Sequence, residues 1–227
     1  MLVHVRSVLT REEVTHCRAR LEASEWVDGR VTAGAQAARA KNNLQIPEDS
    51  AVARELGDLI LRALGRSGPF NAAALPLRVL PPLFNRYDAG MGFGAHVDGA
   101  IRMVPGAGIR MRADVSSTLF LTDPADYDGG ELVIEDTFGS QSVKLEAGDM
   151  VVYPASSLHR VEPITRGSRW SAFFWSQSMV KDDGARTLLY DLDQGITGVR
   201  AKLSDDDPSV IALTGSYHNL LRRWVEL

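Results

Sequence analysis

Between Leu75 and Ser178 the chain is a succession of short runs rich in β-branched and aromatic residues: LPLRVLPPLFNRY, SSTLFLT, GELVIED, QSVKLE, DMVVYP, LHRVEPI and RWSAFFWSQS. Turn signals punctuate them at Asp128-Gly129-Gly130, Ala147-Gly148-Asp149 and Arg166-Gly167-Ser168. Short strands at this spacing predict an antiparallel sandwich or barrel rather than βαβ units.

The flanks have a different period. Thr10 followed by Glu13 has the form of a capping box and opens a helix to about Trp26, with Val14, Cys17 and Leu21 on one face. Residues 27–46, rich in Gly, Ala, Asn and basic side chains, read as a loop that crosses the mouth of a site. Asp49 is placed to cap a second helix, striped by Val52, Leu56, Leu59, Ile60 and Leu64. After Lys181 helical spacing returns, with one stripe at Leu188, Leu189 and Leu192 and another at Leu213, Tyr217, Leu220, Leu221 and Trp224. The expected organisation is a single, mainly β domain: a helical and loop region (1–74), a β core (75–180) and a C-terminal helical extension (181–227). The terminal stripe can pack on the sheet or build a homodimer.

A chain of 227 residues with 44% hydrophobic side chains can bury a core without disulfides, and its only cysteine, Cys17, can form neither a disulfide nor a Cys-based zinc site within a monomer. A net charge of -4 gives no footprint for nucleic acid or an anionic membrane. No run of about 18 apolar residues occurs, and the N-terminus lacks a signal-peptide core, so the cytoplasm is the expected location.

Chemistry concentrates on two of the five histidines. In His96-Val97-Asp98 an imidazole and a carboxylate stand two residues apart, on the same face if the segment is extended. They supply two ligands of a 2-His-1-carboxylate triad, which leaves positions open and marks non-haem Fe(II) oxygenases. His159, which opens a strand after Gly-Asp-Met-Val-Val-Tyr-Pro, is the third ligand. Ten residues further on, Arg169 starts an apolar strand where its charge needs a partner; beside a metal it can hold a dicarboxylate through a bidentate pair. Trp175 shares the strand face of Arg169 by parity and reads as core. His4, His16 and His218 lack such surroundings.

The order HxD, His, Arg resembles that of the iron(II)- and 2-oxoglutarate-dependent dioxygenases. The segments PLFNRY, HVDGAIR, SSTLFLTDPADYDGGELVIEDTFG, VKLEAGDMVVYPASSLHRVEPITRG and YHNLLRRW are more closely similar to the PKHD-type (PiuC-like) hydroxylases of bacteria, over essentially the whole chain. The resemblance implies a double-stranded β-helix (jelly-roll) core with N- and C-terminal helical additions. It implies Fe2+ on His96, Asp98 and His159, 2-oxoglutarate anchored on Arg169 and lined by Tyr87, and L-ascorbate as the accessory that keeps iron reduced. The implied reaction consumes O2 and 2-oxoglutarate, releases succinate and carbon dioxide, and hydroxylates an unidentified primary substrate. Halogenating relatives lack the carboxylate that Asp98 provides. The resemblance also implies a link to iron metabolism.

The segment Ala100 to Asp114 is expected to be a lid whose Arg102, Arg110 and Arg112 face an acidic group of the substrate, with Lys41, Asn42 and Asn43 as further candidates. Two other functions stay open on sequence: a non-catalytic iron or 2-oxoglutarate sensor using the same triad, and a cupin-like zinc or nickel protein, against which Arg169 argues.

Overall fold

The strand-rich middle of the chain forms two facing sheets. The computed structural model describes residues 1–32, 35–104, 106–136 and 139–227, without the side chains of residues 32 and 35–37. Among the described residues the larger sheet runs Val3–Val5, Met150–Pro154, Val115–Phe120, Ser168–Ser178, Leu83–Asp88, Leu44–Gln45 and Val27–Asp28, with Pro76–Val79 added beside Ser168–Ser178. The smaller runs Gly139–Val143, Leu132–Asp136, His159–Val161, Gly92–His96 and Lys41–Asn42. Every pairing within them is antiparallel, as the strand spacing predicts.

Alternation along each strand divides the interior in two. Val152, Trp170, Ala172 and Phe174 point outward into a core shared with helices α1 (Arg11–Glu22), α3 (Ala51–Arg66) and α4 (Gly68–Ala74). Tyr87, Val151, Tyr153 and Val161 belong to a second cluster, between the sheets. The central strand Val115–Phe120 is therefore buried on both faces. Cys17 packs in the outer core, where burial pushes its thiol up to about 12.

The helix ends correct two expectations. Thr10 does make the capping box with Glu13, but α1 stops at Glu22, and Trp26 instead packs edge-on to Trp170 at 5.0 Å. Ser50, not Asp49, caps α3, its hydroxyl accepting from the Ala53 amide at 3.0 Å; the Asp49 carbonyl is taken by the Arg54 guanidinium. The segment 27–46 is more than a loop. Its two-residue strands join both sheets, and it carries a 3₁₀ turn (Gly29–Thr32) and the helix α2 (Ala35–Ala40), while residues 33–34 lie outside the described part. Two-residue strands carry no readable period, which is why the sequence hid them.

At the C-terminus α5 (Asp183–Arg200) and α6 (Pro208–Trp224) are capped by Asp182 and Asp207. Tyr217, Leu220, Leu221 and Trp224 pack against Leu75, Val180, Ala185 and Leu189, so this stripe is used within the chain. Leu188, expected beside Leu189, turns outward and is 59% exposed. No helix among the described residues is long and apolar enough to cross a membrane.

Candidate active site

A cavity of about 580 Å³ opens between the two sheets and is lined from both. His96 ends the Gly92–His96 strand and pairs directly with His159, the first residue of the neighbouring strand. Asp98 lies just past the strand end rather than on it, yet its carboxylate reaches the same point. One ligand atom from each of His96, Asp98 and His159 lies within 4.8 Å of the others, and Asp98 Oδ2 is 3.9 Å from His159 Nε2. The side chains of His159 and Asp98 are only 6% and 9% exposed.

The surroundings orient each of the three. His96 Nδ1 is 2.9 Å from the Gly94 carbonyl, and His159 Nδ1 is 2.9 Å from the Ser157 carbonyl. A carbonyl can only accept, so each Nδ1 carries the proton and each Nε2 is left as a lone-pair donor. Ser116 Oγ donates to Asp98 Oδ2 at 2.5 Å. Phe93 stacks on the His96 ring at 3.6 Å, and Tyr153 meets His159 edge-on at 5.2 Å. Burial, helped by the nearby His159, drops the His96 pKa to about 4, so its imidazole is neutral at physiological pH. Two imidazole nitrogens and a carboxylate are a donor set that suits ferrous iron.

Arg169 lies in the same cavity, 1% exposed. The parity of its strand turns it inward together with Ser171, Phe173 and Trp175. Its Nη1 donates to Ser171 Oγ at 3.0 Å, and Ser171 in turn donates to Asn85 Oδ1 at 2.5 Å. Its Cζ lies 5.4 Å from the Tyr87 ring and 5.0 Å from that of Phe120. Its Nε is buried without a hydrogen-bond partner, and no ion pair to it exists among the described residues. Tyr87, buried beside it, lines the cavity as expected.

The comparison with known proteins agrees with this geometry. Residues 82–177 match the 2OG-Fe(II) oxygenase superfamily, and residues 183–226 match the PKHD-type hydroxylase C-terminal domain. A PKHD-type hydroxylase of Methylobacterium nodulans is 80% identical over 227 residues, which is 100% of both chains. The chain belongs to the PKHD-type hydroxylases. A second family member, from Cupriavidus metallidurans, is 68% identical over 100% of both chains. The crystal structure of a Pseudomonas putida prolyl-4-hydroxylase shares the fold of this hydroxylase: TM-score 0.52, 22% identity, covering 78% of this chain and 92% of that one. The fold is thus the jelly-roll of the Fe(II)- and 2-oxoglutarate-dependent oxygenases, and the protein is a hydroxylase of that superfamily.

The expected lid looks different in this hydroxylase. Ile101–Met103 and Arg110–Arg112 pair as a small hairpin, and Pro105 lies outside the described residues. Of its three arginines only Arg102 lines the cavity. Arg110 is exposed, and Arg112 binds Asp114 at 2.6 Å with Glu226 at 3.7 Å. Alternation along the hairpin separates Arg102 from the other two. Lys41, at the edge of the smaller sheet, also lines the cavity. Sequence reasoning missed Ser116 and Phe93; the hydroxyl run Ser116-Ser117-Thr118 within the strand Val115–Phe120 was the one available signal for the former.

Proposed function

We propose that His96, Asp98 and His159 hold iron through two Nε2 atoms and a carboxylate oxygen, and that Arg169 receives the distal carboxylate of 2-oxoglutarate. The chain then uses O2 to hydroxylate a C–H bond of a primary substrate while 2-oxoglutarate is decarboxylated to succinate and carbon dioxide, one oxygen atom entering the substrate and the other the succinate. The observation that carries this reading is Arg169, a fully buried cation facing the triad with no acidic partner among the described residues. An unpaired buried charge costs several kcal/mol, and a dicarboxylate bound beside the triad supplies the missing partner.

Bound iron supplies the oxygen activation that no side chain here can perform. The protein orients and shields. The Gly94 and Ser157 carbonyls keep both imidazoles in the ligating tautomer, and Ser116 holds Asp98 turned toward them. Phe93, Tyr87, Tyr153 and Leu132 exclude water from the reacting region. Ascorbate serves as the reductant that restores ferrous iron after turnovers without substrate.

The test is succinate formation from 2-oxoglutarate with iron and oxygen, in parallel with metal content. Asp98→Ala should lose iron and succinate together; full succinate production by this variant would overturn the ligand set. A sensor would bind both ligands yet release no succinate with any fraction of cell extract. A catalyst releases more when its substrate is present.

A further inference from the structure

The hairpin beside the triad has an open edge. Ile101–Met103 pairs with Arg110–Arg112 alone, in a sheet of two strands. The Ala113 amide donates to the Ala100 carbonyl at 2.8 Å, and the Val104 amide to the Ile109 carbonyl at 2.9 Å. Antiparallel pairing alternates along a strand. Ala100, Arg102 and Val104 therefore turn their main-chain groups toward the partner strand, while Ile101 and Met103 turn theirs away from it. Those outward amides and carbonyls meet no partner among the described residues.

The side chains carried by this edge are apolar and exposed. Ile101 is 59% exposed and Met103 56%. Val97, between the ligands His96 and Asp98, is 52% exposed, and Leu158, just before His159, is 38% exposed. Ile101, Val97 and Leu158 all line the cavity, so an apolar rim joins the hairpin edge to the triad. An edge strand with exposed apolar side chains is a template for another strand, and a two-stranded sheet gains stability from a third. A small metabolite can cover the rim, but a polypeptide alone supplies main-chain donors and acceptors at the spacing of Ile101 and Met103. Arg110, opposite Met103 in the ladder, is exposed and, unlike Arg112, forms no ion pair among the described residues, which suits an acidic side chain in that segment.

We propose that the primary substrate is an extended polypeptide segment, apolar with an acidic side chain, which adds to Ile101–Met103 as a third strand and turns one residue into the cavity toward the triad. This rests on the hydroxylase reading of the triad and Arg169, and names the substrate class for that site. It also gives the two faces of the hairpin separate tasks. Arg102, over Trp175 at 3.6 Å, fastens the inner face to the cavity wall and leaves the outer edge to the substrate.

The experiment uses the full chain with iron, ascorbate, oxygen and saturating 2-oxoglutarate, and reads succinate above the rate without substrate. Two probes come from one extract of cells that make the protein: its proteins, denatured and cut into peptides, and a filtrate holding only metabolites. The peptides should raise succinate formation and include one that gains an oxygen atom; the filtrate should not raise it. That peptide, synthesised and bound to the zinc-loaded chain so that nothing turns over, should slow amide hydrogen exchange at Ile101 and Met103. Met103→Pro deletes an outward N–H and none that pairs within the hairpin, and should raise the KM for the peptide about ten-fold or more. Leu188→Gln, an exposed apolar change on α5, should leave that KM as it is. Stimulation by the filtrate, or by neither probe, would overturn the proposal. So would a peptide that binds without protecting the two amides, or one whose KM is indifferent to Met103→Pro. Exchange in the wild-type chain decides even if the variant does not fold. Failure of 2-oxoglutarate itself to bind, with no succinate under any condition, would instead overturn the reading on which the proposal rests.

Discussion

Arg169 owes its position to the parity of one long strand, and its energy to what that strand withholds. Its guanidinium sits among Tyr87, Phe120 and Ser171, with no carboxylate among the described residues paired to it. Removing the cation should leave the distal carboxylate of 2-oxoglutarate buried and unpaired, at a cost of about 3–5 kcal/mol. Arg169→Ala is therefore expected to weaken 2-oxoglutarate by at least about a hundred-fold, and Arg169→Lys to recover only part, since an ammonium lacks the planar fork. Calorimetry on the metal-loaded protein reads both, and an unchanged affinity would remove Arg169 from the co-substrate site. At this scale the sequence was informative: His96, Asp98, His159 and Arg169 were all legible and do meet in one cavity. What it hid were the side chains that hold them. Ser116 comes from a strand in the opposite sheet, and no local spacing connects it to Asp98.

At the scale of elements, the turn from Asp128 to Gly130 links fold to site. Gly130 has φ +70°, and a Cβ there would lie 2.2 Å from Ile164 Cδ1 and 3.2 Å from Arg169 Cδ. Gly130→Ala is expected to cost about 1–3 kcal/mol in stability and to weaken 2-oxoglutarate by displacing Arg169. Gly195, within α5, has no atom within 4 Å of such a Cβ, so Gly195→Ala should raise stability, by up to about 1 kcal/mol. Denaturant melts of the two variants compare one chemical change with opposite expected signs; matching signs would refute the steric account. Long elements with a clear period were read correctly, as with the stripe on α3, whose Leu56, Ile60 and Leu64 are buried. Misreadings fell where register and neighbours decide: the cap of α3, the short strands within 27–46, and the inward facing expected of Arg110 and Arg112.

Over the whole molecule, the larger sheet separates two tasks. Its outer face packs on α1, α3 and α4, while its inner face forms the cavity wall. The α5–α6 pair joins a further cluster around Leu75 and Val180, whose residues do not line the cavity. Trp224→Ala should thus destabilise the fold by on the order of 2 kcal/mol for a partly buried aromatic, read as a lower melting temperature, without changing the affinity for 2-oxoglutarate. A changed affinity at full stability would show instead that the helical pair communicates with the site. The pairing of His96 with His159 carries a further consequence for the molecule as a machine part. Two donors that face each other across adjacent strands, beside a register shift in the same ladder, can share one ion only while that ladder keeps its alignment. An ion held there acts as a rivet through two plates: it fixes the sliding of one strand past the other, and so keeps the cavity mouth at one width.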